Sequence, residues 1–120
     1  MPMTIDVRQI GSVVVLDVAG RLVMGEVDEI RDTICRLLEA GSRSFVLNLS
    51  RVSYMDSAGL GQTIAAYTSV TRRGGRVALL NPSKQTNQLL QIAKLVTVFD
   101  VYADESEALR ALTKDASAAT

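Results

Sequence analysis

The sequence predicts an α/β domain in which helices alternate with the strands of a mixed β-sheet. Three short runs, residues 12–19, 45–49 and 76–80, are mainly apolar over the length of a buried strand. Segments with helical periodicity separate them, and strands joined through helices pair in parallel with right-handed crossovers. A further short segment, Ile5-Asp6-Val7, precedes Gly11 and predicts an N-terminal antiparallel hairpin with the first of these runs.

The first two predicted helices are amphipathic. One spans residues 27–40 and ends before Gly41, a residue suited to the position after a helix. The next spans residues 57–73 and ends at Gly74. The apolar side chains that we expect to face the core are Val27, Ile30, Ile34, Leu37 and Leu38 in the first helix, and Leu60, Ile64 and Tyr67 in the second.

The last third of the chain predicts two more helices around a short strand, which brings the predicted number of helices to four. Ser83 suits the N-cap of the third helix, which carries Leu89, Leu90 and Ile92, and Asp104 suits the N-cap of the fourth. The strand between them covers residues 98–102, and the fourth helix should turn Ala108, Leu109 and Leu112 inward. We predict one domain over residues 1–112 and a frayed tail over residues 113–120.

Composition excludes several classes of function. The chain has no histidine, so it cannot form a Ser-His-Asp triad, a Cys-His pair or a histidine-ligated zinc site. We therefore expect no enzymatic activity, no metal and no cofactor. The formal net charge is zero, which argues against recognition of nucleic acid through bulk electrostatics.

Cysteine content and hydropathy indicate a cytoplasmic protein. The single cysteine, Cys35, cannot form an intrachain disulfide and fits a reducing compartment. No apolar run is long enough to cross a bilayer, and residues 1–4 do not resemble a signal segment. We expect a cytoplasmic location without insertion into a membrane.

The connection between the central strand and the second helix carries the strongest functional signal. Residues 45–49 form the strand, a polar connector follows, and Asp56 suits the N-cap of the helix that Ser57 begins. Glycines at positions 59 and 61 cost roughly 1 kcal/mol each in helix propensity, which predicts a close approach to the backbone there. Because a helix N-terminus favours an anion, a phosphate on Ser57 would be compatible with the fold.

This connection resembles the signature of STAS domains in bacterial anti-sigma-factor antagonists. The residues that carry the resemblance are Tyr54-Met55-Asp56-Ser57-Ala58-Gly59-Leu60-Gly61, and it extends from Gly20 to Tyr102. It implies the STAS fold and makes Ser57 the phosphoacceptor for a serine kinase that is also the anti-sigma factor. A phosphatase acting on phosphoserine is the second implied partner. The unphosphorylated protein would bind the kinase and free a sigma factor.

The predicted partner-binding surface includes one flank of the second helix. At about 100° per residue, the flank next to Ser57 carries Gly61, Ala65, Thr68 and Arg72. This flank could be a solvated face or a landing surface for a partner, and the nearby phosphoacceptor candidate favours the second interpretation. The full predicted set is Val23, Met24, Tyr54, Met55, Asp56, Ser57, Ala58, Gly59, Gly61, Ala65 and Thr68.

Two positions depart from the family pattern. The family often has aspartate where Val23 stands, in the loop after Gly20-Arg21-Leu22, where the acid contributes to the polar surround of the phosphoserine. It commonly has serine or threonine where Ala58 stands, so Ser57 is the sole acceptor in this motif.

Two other functions are compatible with the sequence. One is a STAS scaffold of a stress-signalling complex, or an accessory subunit of a lipid transporter, without a phosphorylation switch. The other is an enzyme with Ser57 as nucleophile, for which the sequence offers no base and no oxyanion hole beyond the helix N-terminus.

Overall fold

A computed structural model describes residues 3–25, 28–95 and 98–118, with the side chains of residues 28 and 114–118 excepted. Within these ranges, strands and helices alternate after an N-terminal hairpin. In chain order the elements are β1 (Thr4–Ile10), β2 (Val13–Leu22), α1 (Asp28–Glu39), β3 (Ser44–Met55), α2 (Ser57–Arg72), β4 (Arg76–Leu80), α3 (Lys84–Ile92), β5 (Asp100–Tyr102) and α4 (Glu105–Ala118).

The five strands form one mixed sheet in the order β1-β2-β3-β4-β5. β1 pairs with β2 antiparallel, and the remaining neighbours pair in parallel. One face of the sheet packs against side chains from α1, α2 and α3, including Ile34, Val70 and Leu90. The other face packs against Ala108 and Leu112 of α4. The predicted α/β class, the hairpin and the four helices are confirmed.

β2 and β3 are longer than the sequence suggested, and this corrects the prediction of a polar connector before Asp56. Residues 20–22 continue β2, and residues 50–55 continue β3 beside them. The register shifts twice along this pair: Asp17 faces Asn48, whereas Ala19 faces Arg51 and Arg21 faces Tyr54. Each extra residue in β3 breaks the alternation of buried and exposed side chains, so the second half of the strand resembles a loop in sequence.

The core face of α2 also differs from the predicted stripe. Its buried residues are Gly59, Leu60, Thr63, Ala66 and Val70. Ile64 and Tyr67 are only half-buried at the margin, where the Tyr67 ring meets the Phe99 ring edge-on at a centroid distance of 5.0 Å. Small residues, Gly59, Thr63 and Ala66, occupy the centre of this face. The prediction was based on large apolar side chains, and Ile64 and Tyr67 lie to one side of that centre.

The ends of several helices differ slightly from the prediction. The predicted first residue of α1, Val27, lies outside the described residues, but Ile30, Ile34 and Leu38 are buried as expected. In α3, Leu90 is buried, whereas Ile92 is 80% exposed. α4 continues to Ala118, so residues 113–118, which we expected to be a frayed tail, are helical. This segment contains neither glycine nor proline to end the helix.

Candidate functional site

The turn from β3 to α2 is held by the side chain of Asp56. The backbone of Asp56 is extended (φ −101°, ψ −173°), and Oδ1 accepts a hydrogen bond from the backbone N–H of Gly59 at 3.0 Å. This is the geometry of an N-cap, in which a side chain bonds a donor of the first turn that has no partner within the helix. The sequence-based prediction of the cap is confirmed.

Asp56 also ties this turn to the loop that follows β2. Its second oxygen, Oδ2, accepts a hydrogen bond from the backbone N–H of Met24 at 3.2 Å. Its own N–H donates to the carbonyl of Leu22 at 3.1 Å. Hydrogen bonds from the backbone N–H of Gly59 first, and of Met24, hold the pKa of the Asp56 carboxyl below its ordinary value. The carboxylate therefore joins the N-terminus of α2 to the loop that follows β2.

Ser57 is the first residue of α2, and its side chain is exposed. Within the described part of the chain, its hydroxyl has no protein hydrogen-bond partner. The hydroxyl is therefore accessible from solvent. Any anion placed on it would lie beside the unpaired N–H groups and the positive end of the α2 dipole.

Gly59 is the point of closest backbone approach in this turn. A Cβ atom at this position would lie 2.3 Å from the carbonyl oxygen of Leu22 and 2.9 Å from Cγ of Met55. The predicted close approach thus occurs, but it is the end of β2 in the same molecule that fills the space. No atom lies within 4 Å of a Cβ built at Gly61. Packing within the molecule therefore does not require glycine at position 61.

The structure divides the predicted partner-binding residues by exposure. Met55 and Gly59 are buried, which corrects their assignment: they shape the turn and are out of reach of a partner. The exposed members are Met24, Tyr54, Ser57 and Gly61, and the half-buried members are Val23, Asp56, Ala58, Ala65 and Thr68.

Two exposed apolar side chains flank this surface. Met24 is 80% exposed and Tyr54 is 42% exposed. The guanidinium carbon of Arg21 lies 5.8 Å from the centroid of the Tyr54 ring, within the range of a cation–π contact. Both side chains add exposed apolar area beside the turn, and contiguous area of this kind is a feature of protein interaction sites.

A residue from α3 also contributes to this site. The side-chain amide of Gln85, in the first turn of α3, bonds to both backbone groups of Met55. Contact between α3 and the turn comes through this side chain. No local pattern indicates it, because the two partners are 30 residues apart.

Metal-ligating side chains are not clustered in the described ranges: no group of three or more is close enough to hold an ion. Among the helices that the structure describes, none has the length and hydropathy to cross a membrane.

The sheet and the capped turn define a small α/β domain that presents an exposed serine, Ser57, at the N-terminus of α2. The chain belongs to the STAS domain family, whose model matches residues 4–108. A relative, the anti-sigma-B factor antagonist of Bacillus subtilis, is 30% identical over 103 residues, which cover 86% of this chain and 94% of that protein.

Two solved structures of the anti-sigma factor antagonist SpoIIAA share the fold. The unphosphorylated form is 26% identical with a TM-score of 0.80, covering 92% of this chain and 97% of that chain. The phosphorylated Bacillus form is 28% identical with a TM-score of 0.71, covering 88% and 96%.

The lowered pKa of Asp56 predicts a specific dependence of stability on pH. A carboxyl whose folded pKa lies below its ordinary value of 3.8 stabilises the fold above that pH, and the contribution is lost as the pH falls through the folded pKa. Asp56→Asn should therefore be less stable than wild type at pH 7, and the difference should shrink below about pH 3.8.

Urea unfolding of both proteins across this pH range measures the effect. Asp32→Asn is a matched control, because Asp32 is exposed and no hydrogen bond or ion pair joins it to the described residues. A constant difference between Asp56→Asn and wild type from pH 7 to pH 2.5 would contradict the assignment of the titrating group.

Proposed function

We propose that this protein is an anti-sigma-factor antagonist controlled by phosphorylation of Ser57. The unphosphorylated form binds an anti-sigma-factor kinase and frees a sigma factor, and phosphorylation ends this binding. The observation that carries the proposal is the exposed Ser57 hydroxyl on the first residue of a helix that Asp56 caps. The similarity to an anti-sigma-B factor antagonist and to both forms of SpoIIAA supports the same function.

The geometry around Ser57 suits both a kinase and a phosphatase. The serine lies at the surface, where either enzyme can reach it. A phosphate there would carry about −1.5 to −2 charges at pH 7, next to the N-terminal N–H groups of α2. The fold can therefore remain intact while the charge of the surface changes.

The exposed and half-buried residues around Ser57 would form the binding surface. Met24 and Tyr54 would supply exposed apolar area, and Gly61, Ala65 and Thr68 would supply a shallow flank of α2. In this proposal the protein acts in the cytoplasm as a binding regulator and catalyses no reaction itself. The kinase and the phosphatase supply the chemistry.

Phosphorylation by an anti-sigma kinase tests the proposal. The purified protein is incubated with ATP and each anti-sigma-factor kinase encoded by the same organism, and the sites are mapped by mass spectrometry. We expect one phosphate per chain on Ser57, and none on Ser57→Ala. Ser106→Ala is a matched control, since Ser106 is an exposed serine in the first turn of α4. Phosphate on another residue, or no phosphate with any of these kinases, would contradict the proposal.

The position of Val23 gives a second test of the same site. The N–H of the next residue, Met24, bonds to Asp56, so the Val23 loop is attached to the phosphoacceptor turn. If an acid at this position assists recognition of the serine, Val23→Asp should be phosphorylated faster than wild type. Ser106→Asp adds the same charge on the other face of the sheet and should leave the rate unchanged. Equal or slower phosphorylation of Val23→Asp would show that this loop has a different role.

A further inference from the structure

The C-terminal part of β3 has a strand neighbour on only one side. β4 pairs with β3 from Arg76 to Leu80, and the last pair joins Leu80 to Asn48. β3 continues to Met55 beside β2. The N–H and C=O of one strand residue point to the same side, and those of the next residue to the other. Since the N–H of Asp56 bonds to Leu22 of β2, the backbone groups of Met55 face the side that β4 leaves open.

The side chain of Gln85 occupies this open side. Its Oε1 accepts a hydrogen bond from the N–H of Met55 at 3.0 Å, and its Nε2 donates to the C=O of Met55 at 2.8 Å. One primary amide thus satisfies the donor and the acceptor of a single strand residue, as a neighbouring strand would. Both distances lie within the range of good hydrogen bonds.

The backbone of Gln85 is itself fixed. Gln85 is the second residue of α3, whose N-cap Ser83 accepts a hydrogen bond from the N–H of Thr86 at 3.1 Å. Thr86 and Leu90 are buried and pack α3 against the sheet. The amide therefore extends from a packed helix to the residue that precedes the Asp56-Ser57 turn.

We propose that Gln85 is a positioning residue for the Ser57 site. By holding both backbone groups of Met55, it fixes the end of β3 and with it the direction in which Ser57 leaves the sheet. The inference rests on the proposed function, because it assigns Gln85 an effect on the phosphorylation of that serine. A variant that lacks the amide should keep the fold but present Ser57 in several orientations.

The first test measures the hydrogen bonds directly. Gln85→Met keeps a long unbranched side chain and removes both bonds. Gln88→Met makes the same change one turn later in α3, where the side chain is exposed and makes no hydrogen bond within the described ranges. We expect amide exchange of Met55 to accelerate about tenfold in Gln85→Met, as two lost hydrogen bonds imply, and to stay unchanged in Gln88→Met. Equal protection of Met55 in both variants would overturn the proposal.

A second variant separates positioning from simple loss of packing. In Gln85→Glu the neutral acid can donate to and accept from Met55, whereas the carboxylate can only accept and faces the Met55 carbonyl. The NMR shifts of Met55 and Ser57 should therefore match those of wild type at about pH 3, where a glutamate of ordinary pKa is almost fully protonated, and depart from those of wild type at pH 7. Shifts that depart equally at both pH values would argue against positioning by hydrogen bonds.

The kinetic test uses a kinase that phosphorylates wild type on Ser57. We expect kcat/KM for Gln85→Met to fall by about tenfold, with Gln88→Met unchanged. Unchanged kcat/KM for Gln85→Met would overturn the positioning role. If no kinase phosphorylates wild type, the proposed function fails, and so does the predicted effect of Gln85 on phosphorylation. The NMR comparison still decides whether Gln85 orients the turn.

Discussion

Replacing Gly59 with alanine is expected to lower the free energy of unfolding by about 1–3 kcal/mol, the usual cost of overpacking a well-filled site. The new Cβ would lie 2.3 Å from the carbonyl oxygen of Leu22, and this oxygen belongs to backbone that is fixed in β2. The same carbonyl accepts a hydrogen bond from the N–H of Asp56, so the shift would disturb the turn that carries Ser57. Alanine favours a helix over glycine, but by only about 1 kcal/mol.

Gly61→Ala is the matched control for this effect. It makes the same change two residues later in α2, where the added Cβ meets no atom within 4 Å. It should raise the free energy of unfolding by roughly 0.5–1 kcal/mol, because it removes a glycine from a helix interior. Thermal melts measure both variants, at roughly 4 °C per kcal/mol for a domain of this size. Two variants of equal stability would contradict the close packing of Gly59 against Leu22.

Much of the fold follows from local sequence patterns. The apolar runs of β2, β3 and β4 and the periodicity of α1 identify these elements without any tertiary information. The second half of β3 could not be found in this way. Its two register shifts against β2 interrupt the alternation of buried and exposed side chains. Its polar residues belong to the sheet because they pair with β2, a contact that the local sequence does not indicate.

The candidate site shows the same division between local and tertiary information. Asp56 and Ser57 were predicted because a cap and the first residue of its helix are adjacent in sequence. The role of Gln85 and the bond from Met24 to Asp56 depend on contacts across 30 and 32 residues, which no short pattern encodes. The burial of Gly59 likewise depends on where β2 ends.

Phosphorylation of Ser57 is expected to weaken binding of the anti-sigma kinase by more than tenfold. The exposed hydroxyl would become a hydrated dianion at the centre of the proposed binding surface. Removing a charged group from water costs several kcal/mol unless the partner provides compensating groups. About 1.4 kcal/mol already corresponds to a factor of ten in affinity.

Substitutions at Ser57 should reproduce parts of this effect. Ser57→Ala should bind as tightly as the unphosphorylated protein and stay bound when ATP is present. Ser57→Asp carries one negative charge. Its affinity should therefore lie between that of wild type and that of the phosphorylated form, which binds most weakly. Ser106→Asp, which adds a charge to the first turn of α4 on the other face of the sheet, should bind like wild type. Equal weakening by both aspartate variants would indicate a nonspecific effect of charge.

The most direct measurement is the affinity of the anti-sigma kinase for this protein before and after stoichiometric phosphorylation of Ser57. Isothermal titration gives both dissociation constants, and thermal melts of the two forms establish that each is folded. We predict a dissociation constant at least about tenfold higher for the phosphorylated form, with similar melting temperatures. Equal dissociation constants for two folded forms would contradict a phosphorylation switch at Ser57.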